Sequence, residues 1–137
     1  MAGKKSWMGR NMSDNQFRPE QIYCVELFAE TLPKGWKIEM EYLVGFTHWN
    51  AEKKQPKKAL VDIALLLPPA IKVAIRLNGE VHEKSRQKIK DEDQRINLEK
   101  EGWAVFDFNK STMPELWDQK TYSNKEAQSA INREMKR

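Results

Sequence analysis

"IRLNGEVHEKSRQKIKDEDQR", from Ile75 to Arg95, opens as an apolar strand and closes as a highly charged helix. At the junction stand Asn78, Gly79, Glu80 and His82, with Asp91 further along the helix. Asn78-Gly79 alone is ordinary turn chemistry. A turn does not need a histidine, and a group titrating near neutral pH suits general-base or metal-ligand work. Taken alone, His82 reads more readily as one of many surface histidines, so the rest of the chain has to decide.

Working outward, 137 residues with 39% hydrophobic and 32% charged content describe one globular domain with a very polar surface. The net charge of +4 points weakly toward a polyanionic partner such as nucleic acid. The single cysteine, Cys24, excludes an internal disulfide and falls in an apolar helical pattern, as a small core residue would. That usage fits a reducing interior, so an intracellular, cytoplasmic location is expected. No run of roughly 18 apolar residues exists, so no membrane span is expected. The opening "MAGKKSWMGRNMSDNQ" lacks the apolar centre of a signal peptide.

Residues 1–18 read as a loose basic arm, and 19–137 as a single domain. A helix is expected from Pro19, with Ile22, Val25, Phe28, Ala29 and Leu32 as its apolar stripe, ended by "LPKG". "WKIEMEYLVG" alternates as a half-buried strand with Trp36, Ile38, Met40 and Tyr42 on one side. "FTHWNAEKKQPKK" reads as a basic loop. "ALVDIALLL" and "IKVAIRLN" are apolar strands joined by "PPA". A charged helix spans roughly Lys84 to Glu101, closed by Gly102, and "WAVFDF" is a further strand. The tail holds one or two helices. The order is α-β-β-β-α-β-α, an α/β class with a mixed sheet flanked by helices.

Certain residues break these patterns. Asp62 interrupts a strand meant for burial and is not near its end, and a buried carboxylate is costly unless paired or bound to a metal. Glu26 falls at the edge of the apolar stripe, whereas Glu20 falls on the far polar face. By itself Glu26 is a glutamate snorkelling at a helix boundary. Asp91, Arg95 and Leu98 share one face of the second helix, where Asp91–Arg95 is at least a surface ion pair and Leu98 draws the face toward the sheet.

The order of these residues, more than any one of them, resembles the PD-(D/E)XK nuclease superfamily with its restriction-endonuclease-like fold. The closer resemblance is to the branch holding very-short-patch mismatch repair endonucleases, an E-D-x-H-D phage homing endonuclease and the DUF559 proteins of bacteria. It covers roughly residues 19–108 and rests on the frame Gly79, His82, Asp91, Arg95, Leu98 and Gly102 within "IRLNGEVHEKSRQKIKDEDQRINLEKEGWAVFDF". The E-D-x-H-D set falls on Glu26, Asp62, His82 and Asp91. Two positions depart from the pattern. Arg76 stands where relatives usually carry an acid, and Asn78 where they often carry aspartate before the glycine.

The resemblance implies a metal-dependent endonuclease acting on DNA with Mg²⁺, for which Mn²⁺ substitutes. Asp62 is the expected metal anchor, with a backbone carbonyl near Leu77 helping. His82 is the expected base for the attacking water, oriented by Glu26 or Asp91. Arginine cannot ligate a cation, so Arg76 either contacts the scissile phosphate or ion-pairs with Asp62 and disables the site. Asn78, Lys84, Lys88 and Arg95, together with Lys53 and Lys54 of the loop, are candidate phosphate or DNA contacts, and Trp49 is a candidate to stack or wedge against bases. A solvated surface explains the lysines, and a packed loop anchor explains Trp49, about as well. Two other functions remain open: a catalytically silent nuclease-fold module that binds nucleic acid or a protein partner, and a structure-selective nuclease of the Holliday-junction-resolvase kind. The assembly is either a monomer or a homodimer.

Overall fold

A computed structural model describes residues 17–50, 55–79 and 85–136; the side chains of 47–50, 55–57 and 85–90 fall outside that description. Helix α1 (Pro19–Thr31) leads into strands β1 (Lys37–Asn50), β2 (Gln55–Leu67) and β3 (Ile71–Asn78). Helix α2 (Ser85–Lys100), strand β4 (Trp103–Asn109), a short 3-10 turn (Pro114–Leu116) and helix α3 (Asn124–Met135) follow. The protein is thus α/β, with a four-stranded mixed sheet in the order β1-β2-β3-β4. The first two pairings are antiparallel, and β3 and β4 run parallel across the α2 crossover.

Local chemistry accounts for the element ends. Pro19 stands in the first turn of α1, where its missing N–H costs nothing. Leu32, in extended backbone before Pro33, ends α1, and Gly102, at φ +90°, takes the left-handed backbone that closes α2. Ser123 and Glu126 form a reciprocal capping box that starts α3.

Two apolar clusters lie on opposite faces of the sheet. One joins Cys24, Val25 and Phe28 of α1 to Ile63, Leu65, Ile75 and Phe108, and to Met113, Leu116, Ala127 and Ile131. The other joins Leu98 of α2 to Val61, Ala64, Ala74, Trp103 and Val105. Cys24 and Leu98 are fully buried, as their patterns predict. Phe17 packs against the first cluster, so the expected arm boundary at residue 18 moves back by at least that residue.

The hairpin of β1 and β2 corrects the sequence reading. The stretch read as a basic loop is instead largely paired backbone. β1 continues to Asn50, β2 begins at Gln55, and Trp49 stands opposite Pro56 beyond a register shift after Gly45. The expected single face of β1 also fails. Ile38 and Met40 face the α1 cluster, but Tyr42, Val44 and Phe46 face the α2 cluster. β2 changes sides in the same place, with Val61 toward α2 and Ile63 toward α1. Residues two apart on a regular strand share a face, so both strands break their alternation at one point. The residues between are Glu41 and Asp62, which are skipped by a register that runs from Met40 opposite Ile63 to Tyr42 opposite Val61. Glu41 holds φ +54°, a left-handed conformation that is costly for a non-glycine residue.

Candidate functional site

Asp62 occupies the place where the sheet divides. The β2–β3 ladder ends at Ile63 opposite Ile75. Beyond it the main-chain N–H of Leu77 donates to Asp62 Oδ2 at 2.8 Å. The carboxylate fills a gap that a strand carbonyl would otherwise fill, which explains how an acid sits in an apolar strand without an unpaired donor beside it. Its other oxygen, Oδ1, accepts from Arg18 at 3.2 Å. Burial pushes the Asp62 carboxyl above the ordinary range, with Glu41 adding to it; the Leu77 N–H and the Arg18 and Arg76 charges pull the other way without cancelling it.

Gln21 holds the strand break from below. It is fully buried, and its Nε2 donates to the Asp62 carbonyl at 2.8 Å and to Glu41 Oε1 at 3.2 Å. Its Oε1 is buried without a partner. The buried arc of α1 runs through Gln21, Cys24, Val25 and Phe28, with Tyr23 and Leu27 beside it. At about 100° per residue, Glu20 lies inside that arc and Glu26 lies roughly opposite its centre. Glu20, expected on the far polar face, is therefore turned inward, with its side chain only 13% exposed and 3.5 Å from Arg18.

An open cleft of about 560 Å³ lies above Asp62; among the described residues it is lined by Arg18, Glu20, Asp62, Leu77, Asn78, Gly79, Lys110 and Trp117. It opens at the carboxyl ends of the parallel strands β3 and β4, where open α/β sheets generally bind ligands. Asn78 Nδ2 donates to Asn109 Oδ1 at 2.8 Å, and Lys110 N donates to the Asn78 carbonyl at 2.9 Å, which ties the two strand ends together. Gly79 sits against Trp117, whose indole Nε1 would stand 3.2 Å from any Cβ added there. The Lys110 ammonium makes no ion pair among the described residues.

Of the four expected catalytic residues, the described part of the cleft contains only Asp62. Glu26 does not line it; the α1 carboxylate there is Glu20. The apolar stripe expected for α1 includes Ile22 and Ala29, but Ile22 is half-buried and Ala29 exposed, while Gln21 and Tyr23 take buried positions and rotate the helix accordingly. Asp91 is half-buried on α2, and its carbonyl accepts from Arg76 Nη1 at 2.8 Å. His82, Lys84, Lys53 and Lys54 lie outside the described residues, as do the side chains of Lys88 and Trp49.

Arg76 neither reaches for phosphate nor touches Asp62. It is 8% exposed and donates to both carboxylate oxygens of Asp107, at 2.5 and 2.9 Å, as well as to Gln94 Oε1 at 3.3 Å. Arg95, the other expected DNA contact on this face, also donates to Asp107 and to the Val105 carbonyl. Both guanidinium groups are spent inside the protein, between α2 and β4. Burial alone would raise the Asp107 carboxyl, but hydrogen bonds and charge from Arg76 and Arg95 outweigh it and hold the group below the ordinary range. Sequence reasoning missed Asp107, although it breaks the "WAVFDF" pattern as Asp62 breaks "ALVDIALLL".

The carboxylates that line the cleft among the described residues are those of Asp62 and Glu20. Among the described residues, no three His, Cys, Asp or Glu side chains come close enough to share an ion. Two carboxylates with no third side-chain ligand among these residues are a sparse set for a cation; Mg²⁺, which keeps several of its own waters, is an ion that asks for as few as one or two carboxylates. No helix among the described residues is long and apolar enough to cross a membrane. No protein-family model, curated protein or solved structure matches the chain.

Proposed function

We propose that the chain is a metal-dependent endonuclease with a restriction-endonuclease-like fold, cleaving phosphodiester bonds in DNA. The observation that carries this reading is the position of Asp62: a carboxylate wedged into the split between two strands, at a cleft above the carboxyl ends of β3 and β4. The Asp62 carboxyl is raised above its ordinary range by burial and lies in a cleft, the setting in which groups used for chemistry are often found.

In this reading Asp62 anchors a hard divalent cation, assisted by a main-chain carbonyl near Leu77. Such an ion, if bound there, would supply charge neutralisation at the scissile phosphate and Lewis-acid activation of the attacking water. Glu20 takes the place in the cleft expected of Glu26. Lys110 and Asn78, at the paired strand ends, hold phosphate oxygens, and the Trp117 wall offers a flat apolar surface to sugar or base. His82 retains its expected role of accepting the proton of the attacking water. Nicking of supercoiled plasmid with Mg²⁺ or Mn²⁺, beside an EDTA control and Asp62→Asn, tests the proposal. Metal-dependent nicking lost in Asp62→Asn supports it.

The contact between Arg18 and Asp62 favours a second reading, a nuclease-fold module that binds nucleic acid without cutting it. Retention of labelled DNA with no nicking under either metal would favour that module.

A further inference from the structure

Arg18 stands between the two carboxylates of the cleft. Its Nη2 lies 3.2 Å from Asp62 Oδ1 and its Nε lies 3.5 Å from a Glu20 carboxylate oxygen. It immediately precedes α1, with extended backbone at φ −71° and ψ 149°, and gives the helix no side-chain cap. Its side chain is 47% exposed, against 25% for Asp62 and 13% for Glu20. The carboxylates are held in the wall while the guanidinium reaches in from solvent. Half-exposed ion pairs contribute little to stability, so this one adds little to the fold and is easily exchanged.

We infer that Arg18 is a built-in competitor for the cleft's cation: its guanidinium occupies the charge position between Glu20 and Asp62, and a divalent ion must displace it to bind. This rests on the metal-dependent reading of the cleft and adds a restraint to it. The protein at rest keeps its acidic pair half-compensated by one guanidinium, and metal loading is a swap of one cation for another rather than the filling of an open site. The displaced guanidinium is left at the mouth of the cleft.

The test is calorimetric titration of Mn²⁺ into the full chain and four variants, with circular dichroism confirming that each is folded. Arg18→Gln is expected to bind Mn²⁺ about 3- to 10-fold more tightly, since it removes two exposed ion pairs each worth a factor of roughly 1.5 to 5. Arg18→Lys restores the competing charge and is expected to return most of the way to the parent affinity. Lys110→Gln removes an equal charge from the same cleft without touching either carboxylate, and is expected to change affinity less than about twofold. Asp62→Asn is expected to abolish binding. General damage to the site would loosen metal binding, so the sign of the Arg18→Gln effect separates competition from disruption. Unchanged or weaker binding in Arg18→Gln overturns the inference, as does equal tightening by Lys110→Gln, which would reduce the effect to bulk electrostatics. If either occurs while Asp62→Asn still abolishes binding, the metal reading of the cleft stands without the competitor. Mn²⁺ binding that survives Asp62→Asn, or is absent from every form, overturns both.

Discussion

Arg76 on β3 and Asp107 on β4 stand directly opposite each other in the parallel register, and two hydrogen bonds join their charged groups. Arg95 completes the cluster from α2. The pair fastens the crossover helix to the strands it connects. Arg76 is therefore not spent on Asp62, whose arginine partner is Arg18 instead.

Placing an acid at this position is therefore expected to be harmful. Arg76→Glu would place a second carboxylate against Asp107 in a nearly closed setting. Arg76→Met should cost roughly 2–3 kcal/mol, between the values for surface and buried pairs, because it leaves Asp107 half-compensated by Arg95. Arg76→Glu should cost more and leave little folded protein. Urea melts followed by tryptophan fluorescence measure both. A glutamate variant as stable as the parent would show that Asp107 has another partner.

The strands and helices were legible because their apolar periods are strong and their boundaries are chemical: Pro19, Pro33 and Gly102. The register was not. Alternation in "IKVAIRLN" and "WAVFDF" places Arg76 and Asp107 on a face, but only the crossover decides that they are opposite. The side-switch at Glu41 and Asp62 was equally hidden, since a periodic pattern presumes that no residue takes left-handed backbone. Asp62 itself was legible, because an acid inside a long apolar strand has few inexpensive explanations. Glu20 was not, because the α1 stripe includes a buried glutamine that hydrophobic counting discards.

Glu20 and Glu26 offer a direct comparison of the two α1 carboxylates. Glu20→Gln is expected to weaken Mn²⁺ binding about tenfold and reduce nicking in proportion, since it removes one of the two carboxylates that line the described cleft. Glu26→Gln, on the outward arc beside Tyr23 and Glu30, is expected to leave metal affinity within about twofold. Isothermal titration of both variants decides the matter. The reverse order would return the site to the expected E-D-x-H-D geometry.

Acid unfolding should report Asp107. Its folded pKa is depressed, so its stabilising contribution is complete above the ordinary carboxylate pKa and is lost as pH falls through the lower, folded value. The parent should accordingly hold its stability down to about pH 4 and lose it below. Asp107→Asn forgoes the contribution already at neutral pH and should show a flatter acid limb. Thermal melts across pH 2–7 measure both limbs; parallel curves would place the acid sensitivity in other groups.

Asp62 carries the opposite sign. Its folded pKa is raised, so the ionised form is disfavoured by folding and the protein gains stability as pH falls through that raised value. This net direction already includes the favourable charge of Arg18 and the Leu77 N–H. Asp62→Asn keeps the volume and an oxygen for the Leu77 N–H while removing the charge. It is expected to raise stability at neutral pH by on the order of 1 kcal/mol, the scale of relieving a destabilised site. The same substitution is expected to abolish metal binding and nicking while leaving DNA retention largely intact. Thermal melts at pH 7, a Mn²⁺ titration and a plasmid assay on one preparation test the combination. A variant that loses both stability and activity would mark Asp62 as a structural wedge between β2 and β3. A more stable protein that no longer cuts would show that the carboxylate is kept in the strand split for its chemistry and at a cost to the fold.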